Sequence, residues 1–265
     1  VSIIKQLVNK SIYGTVGYIS SQDDLNLLEQ YIIYNLSILK EYKQIIVATN
    51  YKNYPKLSRE NSQLWKSYFP GCLLFDSKIN RGHSFGTADL DNLIFGYCIN
   101  NNVEWLFKSS NDVIIEENFL NKEIPDVDFY YLIGISYEDL CLNNFNYEKI
   151  LNKFFPQTNG YFINTSKCDY LVTKEFLDET YKQVINISGY NNKPWEYIEN
   201  WSCEIFLKQC VERNNLSKYY LLDIDKHSKL CETINLYKIG DPSHKNIMID
   251  GLCHFQYPNE NILKI

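Results

Sequence analysis

The sequence predicts an α/β fold with a mostly parallel central sheet flanked by helices, on three observations. Short apolar runs of strand length alternate with longer stretches of helical periodicity through the first 110 residues or so. Runs such as residues 44–49, apolar from Ile45 to Ala48, are short and apolar enough for strands covered on both faces. An acidic residue, Asp112, follows the run at 104–108, and open α/β sheets gather their ligands at the carboxyl ends of their strands.

Each element follows from its local pattern. Residues 15–20 read as the first strand. Ser21 and Asp24 then have the spacing of a capping box, opening a helix through Leu25, Leu28, Tyr31, Ile32, Leu36 and Leu39. Residues 44–49 complete a βαβ unit. A helix over 59–68 leads past Pro70 and Gly71 to a third strand at 72–75. A polar loop at 76–86 precedes a helix over 87–100 and a strand at 104–108. Such alternation implies parallel strands joined by right-handed crossovers. The second half reads as a strand at 129–134, a helix at 147–155, a strand at 160–164, helices at 174–185 and 194–213, and a strand at 219–224. No internal repeat and no Pro-, Gly- or Ser-rich linker interrupts the chain, so residues 1–265 are expected to form a single domain.

Composition narrows the function. A chain of 265 residues, 45% hydrophobic and 22% charged, can bury one substantial core. The formal charge of -6 and pI near 5.3 argue against a protein that binds nucleic acid by neutralising phosphates. The eight cysteines form no CxxC pair and no zinc-ligand spacing. Several lie in apolar runs, where a reduced cysteine behaves as a small hydrophobe, and a reducing cytoplasm is the expected location. No apolar run reaches the roughly 20 residues needed for a membrane span, and the first residues lack the form of a signal peptide.

The segment from Phe75 to Ile115 carries the motifs. Asn80, Arg81, Gly82 and His83 form a loop between strand and helix, and Ser110, Asn111, Asp112 and Val113 follow the next strand. This arrangement resembles the donor half of nucleotide-sugar glycosyltransferases of the GT-A fold, with a loop of the Asn-x-Gly type and a strand ending in Asp-x-Asp or Asn-Asn-Asp-Val. The resemblance implies a donor half over residues 1–125 and an acceptor half over 126–265. It implies a soluble enzyme that moves a sugar from a nucleoside-diphosphate sugar to a glycan or other hydroxyl acceptor. Asp112 would hold a divalent cation, Mn²⁺ or Mg²⁺, that bridges the donor phosphates, with Asn111 beside it on the donor; hard oxygen ligands suit either ion. The chain departs from the pattern in having Ser110 and Asn111 where carboxylates are frequent. By itself an Asp at a strand end often only caps the next turn.

The same resemblance assigns the remaining site. Arg81 would pair with the diphosphate, and Gly82 would allow close backbone approach; the plain alternative is a solvated surface loop. Asp89, read as lying near a helix start where it also suits the dipole, would touch the ribose or sugar. The base would lie against Ser20 and Asn50 at the ends of the first two strands. Asn50 stands where an Asp often reads uracil, and its amide both donates and accepts. Residues 195–207 read as a buried helix on which carboxylates are expensive unless they face a cleft or a partner. Glu199 matches the acidic residue of the Glu-Asp motif of family-2 enzymes, which takes the acceptor proton; Glu204 is the second choice. Structural ion pairing is the alternative for both. His254 would return late in the chain as a further metal ligand, although a lone His between apolar residues is commonly a satisfied core residue. Two rival readings are a catalytically silent GT-A-like binding protein and a sugar nucleotidyltransferase. The second lacks the glycine-rich phosphate cradle after the first strand.

Overall fold

The computed structural model describes residues 2–17, 19, 21–49, 55–77, 83–111, 113–131, 158, 160–173, 175–179, 182, 203–221 and 252–254. In chain order these form β1 (Ser2–Ile3), α1 (Ile4–Lys10), β2 (Ser11–Gly17), α2 (Gln22–Tyr34), α3 (Leu36–Leu39), β3 (Ile45–Thr49) and α4 (Pro55–Tyr68). Then come β4 (Leu73–Asp76), α5 (His83–Asn100), β5 (Trp105–Ser109), β6 (Val113–Ile115), α6 (Glu117–Leu120), β7 (Glu123–Ile124) and β8 (Phe129–Tyr131). The last are β9 (Gly160–Asn164), α7 (Cys203–Arg213), β10 (Lys218–Tyr220) and β11 (Leu252–His254).

Seven strands join in the order β10-β8-β9-β5-β2-β3-β4, the mostly parallel α/β sheet expected. Strands β2, β3, β4 and β5 are mutually parallel, β9 runs against both β5 and β8, and β10 is parallel to β8. The chain winds outward from β2 to β3 and β4, then returns to the other side of β2 as β5. Strand order therefore reverses between β2 and β5, and the crevice at their carboxyl ends is where a sheet of this kind binds ligands.

The two-residue period of the strands divides the core. On one face Tyr13, Val47, Phe107 and Phe162 pack with Ile4, Leu28, Tyr31 and Trp65 of the helices. On the other, Ile12, Ile46, Leu106 and Ile163 meet Ile94 and Phe95 of α5 and Phe206 and Leu207 of α7. Trp65 is fully buried and the Phe107 and Phe162 rings lie 4.3 Å apart, so large aromatic areas leave water on this first face. Close packing of α5 depends on Gly14, where a Cβ would come within 2.8 Å of Ile94 Cγ2.

Local signals place several boundaries. Ser21 Oγ accepts from Asp24 N at 3.1 Å and Asp24 Oδ2 accepts from Ser21 N at 2.9 Å, the capping box expected for α2. The helix expected to continue to Leu39 breaks at Asn35, whose Nδ2 donates to Tyr31 O at 3.0 Å while its Oδ1 accepts from Ile115 N at 3.1 Å. The first long strand is Ser11–Gly17, several residues earlier than the 15–20 expected; Gly14 reads as punctuation in sequence but serves packing. Helices α4 and α5 begin four residues before the expected 59 and 87. Pro55 opens α4, a position where its missing N–H costs no hydrogen bond.

Cys72, Cys98, Cys203 and Cys210 are buried free thiols and Cys168 is half-buried and free, consistent with the core reading. Burial pushes the Cys98 thiol up to about 12. The helix expected at 147–155 and the cysteines at 141 and 231 lie outside the described residues. Among the described residues no helix is long and apolar enough to cross a membrane.

Candidate functional site

The turn after β5 is fastened to the neighbouring strand. Thr15 of β2 pairs with Ser109 of β5, and Thr15 Oγ1 donates to Asn111 Oδ1 at 2.8 Å. Asn111, expected at the donor site, is thus held at the switch point between β2 and β5. Strand β6 follows with all three residues buried, anchored through Ile115 to Asn35. β11 lies antiparallel on β6 and sets His254 opposite Val113. The backbone of the late histidine is thereby set opposite the residue that follows position 112.

A second group reaches the same edge across β9. Gly160 pairs with Ser109, so Thr158, two residues earlier, stands at the carboxyl end of β5. Thr158 Oγ1 donates to Glu204 Oε1 at 2.9 Å and lies 3.2 Å from Cys203 Sγ, which donates to Glu204 Oε2 at 3.4 Å. Glu204 sits half-buried in the first turn of α7, where a carboxylate also complements the helix dipole. In the described part of this helix Phe206, Leu207, Cys210 and Val211 face the core while Gln209, Glu212 and Arg213 are exposed; of the stretch 195–207 expected to be a buried helix, residues 195–202 lie outside the described residues.

Two buried charges lie beneath Thr158. Lys108 Nζ donates to Thr158 O at 2.5 Å and stands 3.6 Å from Asp91 Oδ1, with both side chains almost wholly out of water. Burial lifts the Asp91 carboxyl to about 6; Lys108 offsets part of that rise and the Glu204 charge adds to it. Burial, then Glu204, holds the Cys203 thiol well above its ordinary range, so it remains a neutral S–H donor. Burial, then Asp91, raises the Tyr161 hydroxyl in the same way.

Asp89 takes a different place from the one its sequence context implies. Because α5 starts at His83, Asp89 lies in the second turn and not at the helix start. Its Oδ2 accepts from Ser77 Oγ at 2.5 Å, and Ser77 N donates to Thr49 O at 2.9 Å. Asp89 is therefore at the carboxyl edge on the β3–β4 side. At the end of β2, a Cβ on Gly17 would come within 2.6 Å of Asn61 Nδ2. The Asn61 amide is fully buried and neither of its polar atoms is hydrogen-bonded.

Ser20, Asn50, Arg81, Gly82, Asp112 and Glu199 lie outside the described residues, as does the side chain of His254. Among the described residues no three His, Cys, Asp or Glu side chains cluster as a metal site. A depression of about 490 Å³ beside Tyr34, Ser37, Ile115 and Glu116 lies past the far end of β6, away from the switch point. Thr15, Thr158 and Lys108 are not singled out by the sequence, and Asp91 reads there only as a second carboxylate beside Asp89 at an expected helix start. Lys108 carries one signal, a cation directly following the apolar residues Trp105, Leu106 and Phe107.

No family model matches the sequence, and no curated protein matches it. Among solved structures the chain is similar to a mannosyltransferase from Pyrobaculum calidifontis in complex with GDP-Man and Mn²⁺, at 8% identity and TM-score 0.46, over 89% of this chain and 66% of that one. It is similar to the apo form of the glycosyltransferase GlyE of Streptococcus pneumoniae, at 15% identity and TM-score 0.40, over 94% and 55%. A nucleoside-diphosphate-sugar pyrophosphorylase from Vibrio cholerae matches at 13% identity and TM-score 0.39, over 79% and 90%. The chain thus spans about two thirds and about half the length of the two transferases. Likenesses this weak assign neither an activity nor a residue role.

Proposed function

We propose that this chain is a nucleotide-sugar glycosyltransferase of the GT-A kind, transferring a sugar from a nucleoside diphosphate to a hydroxyl acceptor. One observation supports it above the others: at the carboxyl end of the central strands Thr15 Oγ1 donates to Asn111 Oδ1, β11 sets the backbone of His254 opposite Val113, and Thr158, two residues before the partner of Ser109, donates to Glu204. The sequence resemblance assigns donor, metal and base roles to Asn111, His254 and Glu204 in turn.

In this reading the donor diphosphate lies over the carboxyl ends of β2, β4 and β5. Ser20 and Asn50 hold the base, Asp89 the ribose or sugar, and Arg81 and Gly82 the diphosphate. Asp112 and His254 fit a divalent cation by donor type, a hard carboxylate oxygen with an imidazole that suits Mn²⁺ better than Mg²⁺. When bound, such an ion supplies positive charge to the departing diphosphate. Glu199 or, further along the same stretch, Glu204 accepts the acceptor's proton where the configuration inverts; of the two, Glu204 is the one whose partners are described. The acceptor oxygen forms a bond to the anomeric carbon, the bond from that carbon to the phosphate oxygen breaks with its electron pair leaving on the diphosphate, and the hydroxyl proton passes to the carboxylate.

A silent binding protein is favoured by one feature: Asn111 Oδ1 is already engaged by Thr15 and no carboxylate stands at 110 or 111. Thermal shift with UDP-, GDP-, CMP- and dTDP-sugars, with Mn²⁺ and with chelator, tests both readings. Ligand at about 100 times its Kd adds about 2.7 kcal/mol, roughly 5–10 °C for a chain of this size. One nucleotide should reach that shift with Mn²⁺ and lose most of it in chelator and in Asp112→Asn, which should fold normally. No shift with any nucleotide at millimolar concentration would remove the donor site. A shift without turnover of any donor would select the binding protein.

A further inference from the structure

The buried pair Asp91–Lys108 is poorly arranged for stability. Removing two opposite charges from water carries a penalty of several kcal/mol per ion, offset only by close and well-hydrogen-bonded contact. Here the ions approach only to 3.6 Å and neither Asp91 oxygen receives a hydrogen bond. An apolar pair of similar volume would join β5 to α5 at least as well. The Lys108 ammonium instead points to the Thr158 carbonyl oxygen, 2.5 Å away, and the hydroxyl of the same residue holds Glu204 Oε1 at 2.9 Å. Three connected contacts thus run from α5 through β5 and Thr158 to the carboxylate on α7.

We propose that Asp91 and Lys108 are positioning residues for Glu204, acting through Thr158. Asp91 holds the ammonium in place, the ammonium fixes the Thr158 carbonyl, and the fixed backbone aims the Thr158 hydroxyl at one carboxylate oxygen. The other oxygen receives the Cys203 thiol, which leaves the carboxylate held in a single orientation. The inference rests on reading Glu204 as the proton acceptor of sugar transfer, and adds to that site two residues that touch no substrate. The groups that act on Asp91 are Lys108 from β5, Tyr161 from β9, and Cys203 and Glu204 from α7.

Release of nucleoside diphosphate from UDP-glucose and GDP-mannose would be measured for wild type, Thr158→Val, and the double variant Asp91→Leu/Lys108→Met. Removing both buried charges together should leave the melting temperature unchanged or raised. A base turned slightly out of line should lower kcat roughly tenfold or more while donor KM stays within about twofold. Thr158→Val should show the same loss, and combining all three substitutions should add little, because they interrupt one chain of contacts. Wild-type kcat in the double variant would overturn the proposal, as would parallel losses of kcat and melting temperature. A second readout does not depend on activity. The Asp91 carboxyl, followed by ¹³C NMR, should titrate near pH 6 in wild type, fall in Glu204→Gln as the like charge is removed, and do so whether or not either donor is turned over. An Asp91 midpoint indifferent to Glu204→Gln would overturn the linkage itself; a responsive midpoint with no turnover by wild type would instead remove only the transferase reading.

Discussion

Asp91, buried beside Lys108, ties the stability of the fold to pH. Its carboxyl, near 3.8 in an unfolded chain, rises to about 6 in the fold because burial disfavours the charged form more than Lys108 restores it. The native state therefore binds the proton more tightly than the unfolded chain. The stability this gives is complete below about pH 4 and is lost as pH rises through 6. Two units correspond to about 3 kcal/mol. Asp91→Asn does not titrate, so its unfolding free energy in urea relative to wild type should rise by about 2 kcal/mol between pH 4.5 and 7.5; a difference flat with pH would show that Asp91 titrates as an ordinary carboxylate. The proton acceptor is decided separately. Glu204→Gln keeps the shape of the side chain and its bond from Thr158 but cannot take a proton, so transfer should fall roughly 100-fold or more with donor binding retained. Full activity in Glu204→Gln with that loss in Glu199→Gln would move the role back along the chain. Asn111 and Glu204 could be chosen from sequence because pattern and chemistry agree there. Thr158 could not, since nothing local distinguishes a threonine whose importance comes from a residue 46 positions away.

At the scale of elements, length decided what the sequence revealed. Strands β3, β5 and β9 are five residues each, apolar and bounded by turn residues, and their expected limits agree with the observed ones to within one residue. β1, β6, β7 and β11 are two or three residues long, too short for any period, and exist only through their partners. Yet β6 and β11 set the His254 backbone opposite Val113, so this corner of the candidate site is carried by the least regular elements. The Asn35 amide joins the end of α2 to this corner. In Asn35→Ala the buried Ile115 N–H and Tyr31 carbonyl lose their side-chain partner, an expected destabilisation of about 2 kcal/mol in urea unfolding. Because β6 borders position 112, the variant should also bind nucleotide with Mn²⁺ less tightly than its stability alone implies; an unchanged Kd would separate this corner from the site.

The whole molecule is organised by a sheet that ignores the division into donor and acceptor halves. Strands β2 to β5 come from the first 125 residues and β8 to β10 from the rest, yet they share one ladder. The seam is the antiparallel pair β5–β9, in register from Trp105 with Asn164 to Ser109 with Gly160, and Phe107 meets Phe162 across it. α7, from the second half, covers the same face of the sheet as α5, from the first. A fragment of residues 1–125 would keep the motif-bearing segment and the edge that gathers ligands. It would also turn β5, buried along its whole length, into an open apolar edge and strip the cover from Leu106 and Lys108. Such an edge favours pairing between chains over folding. The fragment should therefore aggregate or lack a cooperative unfolding transition, whereas the full chain should show one whose circular dichroism and tryptophan fluorescence coincide. A soluble 1–125 fragment with its own sharp transition would make the donor half a separate domain, and the contacts across β5–β9 an interface between two folded units.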